Sequence, residues 1–294
     1  MGYLFAVLSV LSNAAKGACS KFVSSDITTP RQNTSFNCVR NVLCTIIAFI
    51  TVLTVDGGRS LAIAPIEILL CGISGAVMAL FTFAWTFAVK SDAYMLVSAC
   101  NSASFVIPCI FGFLLLNERL TLYKFLAFVI ILAALYFLLR HNFSLKGKIT
   151  FPQAILLFCI FLSTGIYQAM QKMYAINVSG KDIAYYTFYT FAASTVFLSV
   201  ATLFLKKETE AKMGGILRKN SVFLLVMAIG NFASSYFQGV AAKTVDSIIL
   251  FPMINALSLI AGGFVSALLF KERVTKSCAV GLVLVFVALV LSRI

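Results

Sequence analysis

The stretch LLNERLTLYKF, residues Leu115 to Phe125, sets a glutamate, an arginine and a lysine into surroundings that are otherwise almost continuously apolar. The phrase returns as LFKERVTKSCA, residues Leu269 to Ala279, which aligns Glu118 with Glu272, Arg119 with Arg273 and Thr121 with Thr275 at a constant offset of 154. At that offset Asp92 falls on Asp246, Asn101 on Asn255 and Ser104 on Ser258. Nearer the N-terminus, Lys90 answers Lys243 at 153 and Lys21 answers Lys172 at 151. A match this long in polar positions points to one structural unit present twice.

Composition says what kind of unit. Of the 294 residues, 61% are hydrophobic and 11% charged, against roughly 45–50% and 25% in soluble domains. Apolar runs near the membrane-crossing length of about 20 residues fall at residues 2–25, 38–55, 64–89, 93–116, 121–139, 152–176, 183–205, 220–242, 246–270 and 275–292. We expect an all-α integral membrane protein of ten transmembrane helices built from two inverted five-helix repeats, with residues 1–140 the first, 141–151 a linker and 152–294 the second. The repeats are inverted because five is odd, so the second copy enters the bilayer from the opposite face. Such pairs serve transporters that alternate access around a midplane site. The first span has no basic residue before its apolar run and is expected to be retained rather than cleaved.

The pentads NERLT (117–121) and KERVT (271–275), each leading into a Gly/Ala/Leu-rich helix, and a first helix reading SNAAKGACSKF (12–22) resemble the drug/metabolite transporter superfamily, EamA type. The resemblance covers nearly the whole chain. It implies a ten-helix transporter whose central cavity is built mainly by helices 1, 3, 4, 6, 8 and 9. The prolines depart from the family pattern, which often has one about a helix length before the motif glutamate. Here Pro108 lies ten residues before Glu118, and Gly262 stands at the matching position of the second copy.

Ionisable groups inside a membrane cost about 3 kcal/mol on insertion scales and are functional candidates by default. Lys16 is the one that stands clearly inside a span, because all ten acidic residues fall in connectors or near helix ends. With no carboxylate of its own, its ammonium would attract a carboxylate or phosphate on a solute; the alternative is that it snorkels to an interface. Asn13 and Ser20 share its helix face. At offset 151 the sixth helix repeats that stripe as Thr164, Tyr167 and Gln171. The eighth offers Asn231, Ser234, Ser235 and Gln238, while the third reads Met78, Phe81, Thr82 and Trp85. Asn101 with Ser104, and Asn255 with Ser258, complete the set on the fourth and ninth. Polar groups in lipid must find partners, so these stripes face inward, either toward solute or as interhelical hydrogen bonds worth on the order of 1 kcal/mol. The candidate substrate-binding residues are Asn13, Lys16, Ser20, Phe81, Trp85, Asn101, Tyr167, Gln171, Asn231, Ser235, Gln238 and Asn255.

Glu118 and Glu272 end the fourth and ninth spans, with Thr121 and Thr275 as N-caps of the next. They read as ties of a tight turn at headgroup depth, with proton carriage the alternative. The net charge of +13 is scattered over helix ends and connectors, which suits anionic lipid rather than nucleic acid. The eight cysteines show no CxxC pairing and read as packing. The single histidine, His141, lies in the linker, and no HExxH or intramembrane acid pair is present, so we expect neither an enzyme nor a bound metal or cofactor. The reading is a carrier, exporting or exchanging a small carboxylate- or phosphate-bearing metabolite such as an amino acid, in the cell membrane (inner or plasma). Alternatives are a quaternary-amine or cationic-drug exporter, which would want an intramembrane carboxylate, a lipid-carrier flippase, or a non-transporting subunit. Monomer and homodimer stay open. So does orientation: 15 of the 23 Lys and Arg follow odd-numbered spans, which places both termini outside, whereas the resemblance implies both inside.

Overall fold

The computed structural model describes residues 1–58, 61–91, 94–116, 149–178, 180–205, 213–269 and 276–291, and 121–140 apart from 124, 128, 131, 132, 135, 138 and 139. Glu118, Arg119, Glu272, Arg273, Thr275, Asp92 and His141 lie outside the described residues. The helices are α1 (Gly2–Ser24), α2 (Pro30–Asp56), α3 (Pro65–Ser91), α4 (Tyr94–Ala103), α5 (Val106–Leu115), α6 (Phe151–Asn177), α7 (Ile183–Phe204), α8 (Met213–Lys219), α9 (Ser221–Ala242), α10 (Ser247–Leu269) and α11 (Lys276–Leu291). Among the described residues, seven helical stretches are long and apolar enough to cross a membrane. They are Pro30–Val55, Pro65–Lys90, Leu96–Leu115, Phe151–Asn177, Ile183–Phe204, Ser221–Ala242 and Ser247–Val265. Among the described residues the chain is all-helical, and it is a multi-pass membrane protein. α1 is outside this group: over 23 residues it carries Lys16, Lys21 and a row of Ser and Asn.

Two elements differ from the sequence expectation for physical reasons. α2 starts at Pro30 rather than 38, with Thr29 as N-cap accepting from Gln32 N at 3.2 Å and Pro at the first position. Its early turns are polar because that face is buried. Asn33 Nδ2 donates to Phe83 O at 2.9 Å, and Asn41 Nδ2 to Ser194 Oγ at 2.7 Å. The span at 93–116 is two helices, α4 and α5, meeting at Ser104–Phe105. Pro108 has no N–H to return to Ser104 O, which Ile107 N takes instead at 3.1 Å, while Ser104 Oγ donates to Asn101 O at 2.6 Å. In α10, by contrast, Pro252 sits inside a continuous helix.

Helices of the first half pack chiefly on helices of the second. α1 lies along α9 and against α10, α2 along α7, α3 along α6 and α7, α4 against α10 and α6, and α9 against α2. Glycine permits the closest approaches. A Cβ on Gly75 of α3 would fall 2.5 Å from Ala193 Cβ and 2.8 Å from Ser194 N of α7. One on Gly230 of α9 would fall 3.0 Å from Ser12 O and 3.2 Å from Lys16 Cβ of α1. The outside is apolar, with Leu114, Phe151, Leu203 and Phe204 strongly exposed, as hydrocarbon surroundings require.

Each end of the bundle carries a tie between the halves. At one end Lys181 Nζ pairs with Glu67 Oε2 at 2.8 Å and also donates to Ala62 O, while Tyr174 donates to Glu67 Oε1 at 3.2 Å. At the other, Lys219 Nζ pairs with Asp26 Oδ1 at 2.7 Å and Asn220 Nδ2 donates to Oδ2 at 2.9 Å. Lysines close helix ends in parallel ways. Lys21 Nζ donates to Val89 O at 2.6 Å, and Lys172 Nζ to Ala242 O at 3.0 Å and Val245 O at 2.7 Å. The Glu67 pair is buried and the Asp26 pair largely exposed. Glu67→Gln is therefore expected to cost about 1.5–3 kcal/mol, the range for hydrogen bonds to a charged group, and Asp26→Asn about 0–1 kcal/mol, compared by thermal unfolding of the purified protein. Hydrogen bonds from Lys219 and Asn220 hold the Asp26 carboxyl below the usual carboxylate range. Its tie is thus present above the ordinary Asp pKa and is lost only as pH falls through the lowered value.

Candidate functional site

Where the two halves face each other, the helices enclose a cavity of about 100 Å³ for the centre of a water-sized sphere, room for several waters or a small polar solute. The spacing of the α1 stripe puts Asn13, Lys16 and Ser20 on its wall. The close approach at Gly230 sets α9 against α1, so that Lys16 Nζ donates to Asn231 Oδ1 at 2.9 Å. Asn231 Nδ2 in turn faces Cys44 Sγ at 3.8 Å and Met78 Sδ at 3.9 Å. Lys16 Nζ also lies 6.0 Å from the centre of the Phe81 ring, a cation–π distance. Phe81 packs on Trp85 at 5.5 Å between ring centres, and Trp85 meets Tyr94 edge-on at 6.1 Å. One wall is thus aromatic.

The opposite wall is a hydrogen-bonded lattice. Thr164 Oγ1 donates to Asn101 Oδ1 at 2.7 Å, and Tyr167 OH to Ser235 Oγ at 2.9 Å. Gln168 and Asn255 exchange amide bonds, Nε2 to Oδ1 at 3.0 Å and Nδ2 to Oε1 at 3.4 Å. Both amides are buried.

Eleven of the twelve sequence candidates line this one cavity: Asn13, Lys16, Ser20, Phe81, Trp85, Asn101, Tyr167, Asn231, Ser235, Gln238 and Asn255. Gln171 does not. It is wholly buried behind Tyr167, with Nε2 donating to Ser235 O at 2.8 Å and to Tyr167 OH at 3.3 Å. It shares the helix face of Tyr167 but sits one turn beyond the cavity, where it braces α6 on α9.

Sequence reading missed Arg40, Tyr94, Ser98 and Gln168, which also line the cavity. Arg40 is 6% exposed inside α2, so Lys16 is not the only basic group deep in a span. The buried Asn33, Asn37 and Asn41, spaced four apart, are the signal that α2 begins early enough to enclose it. Among the described residues, no Asp or Glu lines the cavity, no ion pair involves Lys16 or Arg40, and no cluster of His, Cys, Asp and Glu could hold a metal ion. Such a site has hydrogen-bond donors and positive charge to offer a ligand, and no resident anion to compete.

Because Gln168 and Asn255 satisfy each other, truncating one strands the other. Asn255→Ala is expected to lower stability by about 1–3 kcal/mol. The double variant Gln168→Met, Asn255→Leu, which removes both amides, is expected to unfold at a higher temperature than Asn255→Ala.

Residues 1–140 match the EamA-like transporter family. No curated protein sequence matches the chain. A solved structure titled "Crystal structure of protein" superposes with a TM-score of 0.72 at 12% identity, over 99% of this chain and 95% of that chain. An identity that low speaks to the fold alone.

Proposed function

We propose, from the match of residues 1–140 to the EamA-like transporter family, that this membrane protein is a transporter that moves a small carboxylate- or phosphate-bearing metabolite by alternating access around the central cavity. Export or exchange of a solute such as an amino acid, across the inner or plasma membrane, is the reading. The observation that carries it is the pairing of two basic residues, Lys16 and Arg40, with a cavity wall that has no carboxylate among the described residues. The substrate-binding set is the eleven sequence candidates on that wall together with Arg40.

The architecture in this reading is ten helices in two inverted repeats, residues 1–140 and 152–294. The contacts support it, since each has its exchange counterpart. α1 on α9 is matched by α6 on α3, α1 on α10 by α6 on α4, and α3 on α7 by α9 on α2. The polar offsets of 151 to 154 run the same way. Export of a quaternary amine is the second reading, favoured by the aromatic wall of Phe81, Trp85 and Tyr94.

A thermal-stability screen of the purified protein separates them, because a ligand that binds only the folded state raises its stability, by about 2.7 kcal/mol at a hundred times Kd. Amino acids, organic acids, sugar phosphates, nucleotide sugars and quaternary amines are compared on wild type and Lys16→Ala. Stabilisation by an anionic or zwitterionic class, lost in Lys16→Ala, is the expected result. Stabilisation by amines alone would give the site to the second reading.

A further inference from the structure

Arg40 asks for more than one negative charge. It lies three turns into α2, on the cavity wall, and its Nε finds no hydrogen-bond partner among the described residues. One turn along the same face, Cys44 contacts Asn231, the amide that accepts from Lys16. The two basic side chains therefore sit near one another on the wall, their helices joined through a single asparagine. Each is withdrawn from water and each repels the other. A carboxylate of the protein would relieve both effects, and none lines the cavity among the described residues.

We propose, resting on the transport reading above, that Lys16 and Arg40 together seat a doubly charged group, so that the preferred solute is a dianion: a phosphate monoester or a dicarboxylate rather than a monocarboxylate. The two side chains divide the work. A guanidinium presents Nε and one terminal nitrogen as a planar fork that matches two oxygens of a carboxylate or phosphate, and in Arg40 the buried Nε has no partner among the described residues. An ammonium is a compact point charge, and Lys16, held toward the cavity by Asn231, is placed to meet a further oxygen or a second carboxylate. Gln238 Nε2, also unpartnered on this wall, is a neutral donor for what remains.

The test uses probes that differ only in charge. Succinate is compared with succinamate, and ethyl phosphate with ethyl sulfate, by calorimetric or thermal-shift titration of wild type, Arg40→Gln and Arg40→Lys. The expected result is a preference of about tenfold or more for each dianion in wild type, falling to within about threefold in Arg40→Gln and largely kept in Arg40→Lys. Reading a ratio within one protein removes any general loss of stability, and the wild-type ratio stands even if a variant fails to fold. Equal affinity for both members of each pair, or a preference that persists in Arg40→Gln, overturns the dianion inference while leaving anion transport intact. Failure of every anion to bind overturns the anion-transport reading itself. Short-chain phosphatidate tests the source of the charge: stabilisation by it alone, with no effect of ethyl phosphate, overturns a soluble solute in favour of a lipid headgroup.

Discussion

A polar side chain that cannot reach water must find a partner in the protein, and this constraint organises the whole bundle. Many of its interior bonds cross from one half to the other: Asn41 to Ser194, Thr164 to Asn101, Lys16 to Asn231, and the Ser74 and Tyr186 hydroxyls among others. The bonds that satisfy these groups are therefore the ones that hold residues 1–115 against residues 151–269. The cavity is where that pairing runs out. Around it, among the described residues, Arg40 Nε and Gln238 Nε2 remain as donors without acceptors, beside a lysine that donates to a neutral amide. Donors and positive charge in a low-dielectric setting are costly when unmet, and on the proposed reading an anionic solute meets them.

The same logic extends to the ends of the bundle, where water is nearer and charge costs less. Among the described residues, the two ion pairs each join a residue of the first half to one of the second, with the carboxylate on the first half. Glu67 is enclosed by Lys181, Tyr174 and a backbone N–H, while Asp26 and Lys219 meet in the open. The two ends are thus held unequally, one by a desolvated network and one by a screened surface pair.

Much of this was legible in the sequence because helical spacing is. Lys16 with Asn13 and Ser20, or Asn255 three residues before Ser258, can only share a face, and a face rich in Asn and Ser in an apolar helix turns inward. What failed to show was any feature that mimics something else. The run DITTPRQNTSFN reads as a polar connector, yet its Asn33 and Asn37 donate to carbonyls of α3, and this left Arg40 at the expected edge of the second span. Gln168 sits one position off the Thr164–Tyr167–Gln171 stripe and meets Asn255 of α10 across the cavity wall, a fact of packing and not of periodicity. Gln171, on the stripe, lost its place to the bulk of Tyr167. The break at Ser104 needed the local geometry around Pro108. The repeated NERLT and KERVT phrases are the ground of the two-repeat reading, and their charged residues lie outside the described structure.

On the proposed reading, the unmet donors of the cavity receive an anion that the solute brings and carries across. Counterflow in proteoliposomes preloaded with unlabelled succinate tests it most directly, following labelled succinate in wild type and in Lys16→Ala. The account predicts trans-stimulated accumulation that other small anions compete away and that Lys16→Ala abolishes. Accumulation of quaternary amines but of no anion, or anion flux indifferent to Lys16, would contradict it.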